Sequence, residues 1–488
     1  MHVGIDLGTT RTVVVYADRG NYPVVTFCDT SGDVHEFFPS VIAFNGGELV
    51  TGFEAMDLAQ SGAPVLRSLK RHFADENLTT QDEIEFAGRK YPLLELFTTF
   101  LKGLVEALHT DSSIADQLET DPIENVVAAV PAHAGSTQRF LTLEAFKTAG
   151  LPVSVLLNEP SAAGFEYTHR KPKTITSRRN RVVVYDLGGG TFDASRIDVE
   201  DLSHNVMDTV GINNIGGDDF DEVLADLALK AAGNPELDEH QLSELIADTQ
   251  IAKEGLAPQS RRIAIDVAGE TVIIAAQDFY DAVTGLVGRT LEAMAPLLEN
   301  LDDLAGIYLV GGASSLPIVP RLLRNKFGRR VQRSPYPSAS TAIGLAIAAD
   351  PDSGFALRDR VSRGFGVFRE GKEGTEVTFD PIFSRDEVLG ANGLEKRRTY
   401  RPIHNIGKFR FVEYSKLRDW QPIGDIMPFA TVTFPYDASL QGKDSSEADI
   451  ERIGEMDTIE ELYRIDSNGI ISLQITDLST GYSQHHHM

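Results

Sequence analysis

At 488 residues the chain is long enough for two to four domains with sizeable cores. Its composition, 42% hydrophobic and 24% charged, is that of a soluble globular protein, and a formal net charge of -27 argues against nonspecific binding to nucleic acid or anionic membrane. A single cysteine, Cys28, excludes an internal disulfide, and no apolar run spans a bilayer, so a cytoplasmic protein without nucleic-acid or membrane partners is expected.

The chain opens on His2–Val15, HVGIDLGTTRTVVV, which reads as strand, Asp6, Gly8, Thr9, Thr10, strand. Pro39–Phe44 and Glu48–Thr51 read as short strands. Arg67–Phe73 (RSLKRHF) places Lys70 in a short basic segment that, from local sequence, reads as a solvated helix end. Leu93–Leu108 carries apolar residues at helical spacing, Asn125–Pro131 is a buried strand, and Thr137–Ala149 is a helix stopped by Gly150 and Pro152. Val153–Leu157 is another strand, after which Pro160 suits a first helical turn and Glu159 sits at the strand's C-terminal end. The polar stretch Thr168–Arg181 marks a boundary between lobes.

Arg181–Asp193, RVVVYDLGGGTFD, then repeats the opening pattern about 180 residues on. The glycines Gly188, Gly189 and Gly190 permit a tight turn and close approach of a ligand, and their amides with the Thr191 hydroxyl form a nest suited to phosphate oxygens. Asp186 and Asp193 flank it, where a phosphate-bound cation would lie. Two opposed nests from a duplicated unit have the means to hold a nucleotide's phosphates and a hydrated magnesium ion. Gly216-Gly217-Asp218 opens a helix to about Gly233, with Asp218 as its N-cap. Further on, a helix over about Glu239–Leu256 carries Lys253, strands follow at Arg261–Val267 and Thr271–Ala276, and a long helix reaches about Asn300. Gly306–Gly312 is a strand ending in glycines, a helix follows Pro317, and Ala339–Ala349 is a helix of small residues. Strands alternate with helices throughout 1–350, so this part is α/β.

Composition shifts after Asp350-Pro351-Asp352-Ser353-Gly354 to short alternating segments such as Lys408–Glu413 and Ala430–Phe434. Tyr463–Thr476 is a hairpin about Asn468-Gly469, and the region is expected to be a small all-β sandwich. Gln441–Met456 reads as an exposed acidic loop and His485-His486-His487 as a disordered tail, since three adjacent histidines give no ligand geometry.

Taken together, these segments resemble the heat shock protein 70 (DnaK-type) chaperones along essentially the whole chain. The resemblance rests on GIDLGTT at Gly4–Thr10, SLKR at Ser68–Arg71, VPA at Val130–Ala132 with Arg139 after it, and NEPSAAGFEY at Asn158–Tyr167. It continues through DLGGGTFD at Asp186–Asp193, GGDDFD at Gly216–Asp221, LVGG at Leu309–Gly312 and the terminal IDSNGIISLQITD. The Asp-Leu-Gly hairpins alone are shared with actin-like ATPases and sugar kinases. The resemblance implies a two-lobed actin-like (ribonuclease H-like) ATPase over 1–350, with lobe I about 1–175 and lobe II about 180–335. A linker at 351–361 and a β-sandwich at 362–488 without a helical lid would follow.

In that reading Gly8, Thr9, Thr10 and Gly188, Gly189, Gly190, Thr191 hold the phosphates of ATP or ADP, and Gly216, Gly217, Lys253, Gly311 and Gly312 line the nucleotide. Asp6, Asp186 and Asp193 hold Mg2+ through its water shell, with K+ as a further cation the resemblance admits. Lys70 positions the attacking water, Glu159 completes the polar network, Thr191 touches the transferring phosphoryl group, and Asp186 serves catalysis as well as the metal. Apolar segments of unfolded proteins, a J-domain co-chaperone and a nucleotide exchange factor are the implied partners.

The chain departs from the family pattern at several points. Glu254 stands where an arginine usually stacks on the base, and Ala313-Ser314-Ser315 follows LVGG where another arginine is usual. The linker SGFALRDRVSRG offers only Phe355 and Leu357 as large apolar residues before Val361, and Val155 replaces a basic residue tied to J-protein contacts. Met488 falls where the lid would begin. The expected function is slow ATP hydrolysis weakly coupled to peptide binding. A noncatalytic nucleotide-gated regulator or exchange factor is the first rival and a small-molecule kinase the second.

Overall fold

A computed structural model describes residues 1–487 apart from 75–77, 80–81, 132–133, 135, 201–202, 213, 299–301, 355, 359–362, 372–375, 386, 391, 419, 444–450 and 455–456. The chain begins as an antiparallel hairpin, β1 (His2–Leu7) and β2 (Arg11–Tyr16), extended by the short β3 (Phe38–Pro39). Helix α1 (Leu93–Thr110) follows, then β4 (Asn125–Val130), α2 (Ser136–Thr148), β5 (Val153–Asn158) and, without a loop, α3 (Glu159–Arg170). The sheet order is β5-β4-β1-β2-β3, with β4 parallel to β1 and β5 parallel to β4. Alternation along β4 explains why this sequence reads as continuously apolar: Val126, Ala128 and Val130 join the core that holds Leu96, Phe97 and Phe100 of α1, while Val127 and Ala129 face the opposite core.

The second unit repeats the plan. Its strands β6 (Arg181–Leu187), β7 (Phe192–Glu200) and β8 (Ser203–Ile212) are antiparallel. Helices α4 (Gly217–Ala231), α5 (Glu239–Glu254) and α6 (Ala276–Ala293) precede β9 (Leu304–Val310), α7 (Ile318–Phe327) and β10 (Val331–Arg333). The small-residue helix α8 (Ser340–Ala349) crosses back to pack on the first sheet, and β11 (Ala356–Arg358) then closes the second sheet, which runs β10-β9-β6-β7-β8-β11. A hairpin with two parallel strands on its first side recurs in both sheets, so the duplication read from Asp-Leu-Gly is also a duplication of strand order.

Helix α3 joins the two units. Ala162 and Phe165 pack toward the first sheet, and Ala163 and Tyr167 toward Val182, Val184 and Tyr308 of the second. Helix α8 turns back onto α3 and β1. A Cβ on Gly344 would run into the Ala162 carbonyl, so the two helix backbones touch where only glycine fits. Glu166 of α3, fully buried, accepts from Tyr308 Oη at 2.9 Å, Ser334 Oγ at 3.0 Å, Arg170 Nε at 2.6 Å and the Ser340 hydroxyl. One carboxylate thereby fastens α3 to β9 and to the start of α8.

The C-terminal region is a sandwich of β12 (Gly364–Gly371), β13 (Glu376–Phe383), β14 (Leu394–Tyr400), β15 (Ile406–Arg418), β16 (Gln421–Pro435), β17 (Ile459–Ile465), β18 (Ile471–Asp477) and β19 (Ser483–His487). Its sheets, β13-β12-β15-β16 and β14-β17-β18-β19, share one core in which Phe365, Phe411 and Phe434 meet Tyr463, Leu473 and Ile475. Two sequence expectations need correction. Lys408–Glu413 and Ala430–Phe434 are parts of the long β15–β16 hairpin, because register shifts at Phe411/Val412 and Tyr414/Lys416 break the period of two that sequence reading relies on. His485–His487 form an edge strand rather than a loose tail, since β18 supplies a ladder that the histidines' own weak propensity does not announce.

Strand β11 lies parallel to β8, so the chain reaches the sandwich along the edge of the second sheet. The sandwich touches both units: Leu156 N donates to Asn468 Oδ1 at 3.1 Å, and Arg385 pairs with Asp208. Ala132, Phe355, Asp359, Arg360, Val361, part of the acidic loop after Gln441, and Met488 lie outside the described residues.

Candidate functional site

The two Asp-Leu-Gly hairpins close with the same bond. Gly8 N donates to Arg11 O at 3.1 Å, and Gly188 N donates to Thr191 O at 3.0 Å. The turns face each other closely enough that a Cβ on Gly189 would lie 3.3 Å from both Oγ1 and Cγ2 of Thr10. Their carbonyls are held from behind, since Gly217 N donates to Gly188 O at 2.9 Å and Asp218 N to Gly189 O at 2.7 Å. Helix α4 therefore starts on the second nest. Gly216 is its N-cap and donates its N–H to Asp219 Oδ2 at 2.7 Å. This corrects the expectation that Asp218 caps the helix: the glycine pair takes the cap, and Asp218 in the first turn is left to pair with Arg71.

At the base of the hairpins the structure brings together Asp6, Lys70, Glu159, Asp186 and Asp193. Lys70 rides on a 3-10 turn, Leu69–Ala74, and pairs with Glu159, which β5 delivers to the first turn of α3. With 15% of its side chain exposed it is mostly enclosed, not the solvated helix end that its local sequence suggests; proximity to the hairpins is a tertiary fact that basic neighbours cannot encode. Burial pulls the Lys70 ammonium toward the neutral form, but Glu159, Asp6 and Asp186 outweigh it and hold its pKa above the ordinary value. Burial pushes Asp6 up to about 7, with Lys70 opposing and Glu159 adding. Asp193 is likewise raised to about 7 by burial, and Asp186 is pushed well up by burial and by Glu159, Asp6 and Asp193.

Among the described residues none donates a hydrogen bond to the carboxylates of Asp6, Asp186 or Asp193, and one buried cation faces four acids. Such a set lacks positive charge, and a divalent cation is what it fits. Among the described residues no three acids, histidines or cysteines form a group placed to ligate a metal directly.

The remaining candidates divide. Gly311 adopts φ +82, and a Cβ there would collide with the Leu187 carbonyl and the Asp186 carboxylate, so glycine is required beside the acid. Gly312 faces open space. Lys253 is not free to meet a ligand in this structure: it is 8% exposed and its Nζ donates to Asp221 Oδ2 at 2.7 Å and to Gly217 O at 2.8 Å. Glu254 reaches across the cleft to Arg11. Sequence reading left Arg71 and Arg11 without a role, although both flank motif residues; the signal was two arginines beside the hairpins and carboxylates on α4 and α5.

The Hsp70 protein family model matches residues 2–367. The chain belongs to the Hsp70 family. Proteins of this family are ATPases of the chaperone type that bind ATP or ADP with Mg2+.

Proposed function

We propose that the protein is an ATP-dependent chaperone that hydrolyses ATP slowly between the two sheet-centred units, an actin-like ATPase with domain limits near those expected from sequence. The observation that carries this reading is the Lys70–Glu159 pair set among Asp6, Asp186 and Asp193 beneath two facing hairpin turns. Gly8–Thr10 and Gly188–Thr191 would hold phosphates by backbone amides and hydroxyls. Asp6, Asp186 and Asp193 would hold the hydrated magnesium ion, which when bound neutralises phosphate charge. Lys70, kept protonated by its acidic neighbours, orients water and opposes the charge that develops on the phosphoryl group, while Glu159 holds the lysine in place.

The sandwich would bind exposed apolar peptide. Its contacts with both units through Asn468 and Arg385, and the pairing of β11 with β8, support coupling between nucleotide and peptide. A ligand shifts that balance only by its differential affinity for the two states. J-domain and exchange-factor partners and a cytoplasmic location complete the proposal. A noncatalytic regulator is the second reading, favoured by the engagement of Lys253 and Glu254 with protein partners. Calorimetric titration of ATP and ADP with single-turnover hydrolysis decides between them: binding with turnover supports the ATPase, binding without turnover the regulator.

A further inference from the structure

Among the described residues two ion pairs span the cleft, each with its arginine on the first unit and its carboxylate on the second. Arg71 Nη2 lies 2.9 Å from Asp218 Oδ2, and Arg11 Nη2 lies 2.6 Å from Glu254 Oε2. Of the two arginine side chains, that of Arg71 lies on the second nest. A Cβ on Gly190 would sit 2.5 Å from both Nε and Nη2 of Arg71, so the guanidinium presses on the bare face of that glycine. Asp218, in turn, donates its own N–H to Gly189 O at 2.7 Å, and its Oδ1 would be 3.6 Å from a Gly189 Cβ. The Arg11 side chain points elsewhere, over the Phe37 ring at 4.5 Å.

Charge and geometry then single out one group. Lys70 is committed to Glu159 inside the cleft, and four acids surround it. An entering polyphosphate needs another cation at the second turn, and Arg71 already lies there. Its fork matches two phosphate oxygens as well as it matches a carboxylate. Its side chain and that of Asp218 are 41% and 32% exposed, so the pair is weak enough to exchange.

We propose that Arg71 is a phosphate-binding residue that exchanges Asp218 for the phosphate oxygens of a bound nucleotide, so Asp218 competes with the ligand and binding releases one cross-cleft ion pair. This rests on the nucleotide-binding reading above. The test is calorimetric titration of ATP and of inorganic pyrophosphate, with magnesium, into wild type, R71Q, R71K, D218N and E254Q, each checked by thermal melting. R71Q should weaken both ligands by about tenfold or more and R71K by less. D218N should tighten both by about threefold or more, whereas E254Q, which cuts the other pair, should leave them within about twofold. Unchanged affinity in R71Q, or weaker binding in D218N, overturns the proposal. Equal tightening by D218N and E254Q also overturns it, since the pair would then be only a clasp. Should wild type bind neither ligand, the nucleotide reading itself fails and takes the exchange with it.

Discussion

Two clusters of charge in this molecule, one in the sandwich and one in the cleft, are handled in opposite ways. Inside the sandwich, Glu461 is fully buried and takes a bidentate fork from Arg369, Nη1 to Oε1 at 3.0 Å and Nη2 to Oε2 at 2.6 Å, with Tyr463 Oη donating at 2.6 Å. Arg369 also donates through Nε to Asp380 Oδ2 at 2.9 Å, and Arg398 closes the set on the same carboxylate. Every strong acceptor there has its donor, and the network joins β12 to β17 across the two sheets. In the cleft, none of the described residues donates a hydrogen bond to the carboxylates of Asp6, Asp186 or Asp193, and burial raises the pKa of each. A satisfied cluster holds a structure together; an unsatisfied one is held by the structure for something that arrives later.

The sharpest way to break this contrast is at Arg369. Arg369→Ala would leave Glu461 buried and unpaired and should destabilise the sandwich by about 3–5 kcal/mol, measured by urea unfolding. A loss under ~1 kcal/mol would mean that the network is incidental. In the cleft, Lys70→Ala should preserve the fold but raise the barrier to hydrolysis by about 3 kcal/mol, read in single-turnover ATP hydrolysis. An unchanged rate would make Lys70 a structural partner of Glu159 and nothing more.

Asp193→Asn sharpens the comparison from the other side. It relieves crowding of like charge, so the ligand-free protein should melt higher by roughly 1 kcal/mol of stability, while ATP affinity with magnesium falls toward the value in EDTA. A destabilised variant with its magnesium dependence intact would place the cation elsewhere. The smallest expected effect belongs to Asp477, a satisfied carboxylate. Burial alone would raise its pKa, but donation from Ser479 Oγ and N and from Thr480 N overcomes this and brings it to about 2. Its depressed pKa contributes stability that is present above the unfolded value near 3.9 and is lost as pH falls toward about 2. Asp477→Asn should cost about 1 kcal/mol at neutral pH and flatten that acid limb in pH-dependent melting.

Sequence legibility followed the same division. The strands carrying Asp6 and Asp186 were readable because parallel and hairpin strands buried on both faces give unbroken apolar runs such as Val182–Tyr185. The hairpin turns were readable because only glycine and small polar residues make them. Lys70, by contrast, gained meaning only through a resemblance, since nothing local distinguishes a buried lysine from a solvated one. Asp218 was misread as a cap because capping and ion pairing ask for the same residue type. The long β15–β16 hairpin was hidden by its own bulges, and β19 by a partner strand that only the fold supplies.

The close crossing of α3 and α8 at Gly344 has a thermodynamic consequence. Each unit keeps its own apolar core, and α3 touches both through separate faces. Rotation about that crossing would part Arg71 from Asp218 and Arg11 from Glu254, and with each core kept within its own unit it would uncover little apolar surface. Heat capacity tracks exposed apolar area, so opening should leave it almost unchanged, and the enthalpy of opening should barely drift with temperature. On that footing added salt, which screens the two arginines, should shift any balance between open and closed forms more than warming does, since heating would find no new surface to hydrate.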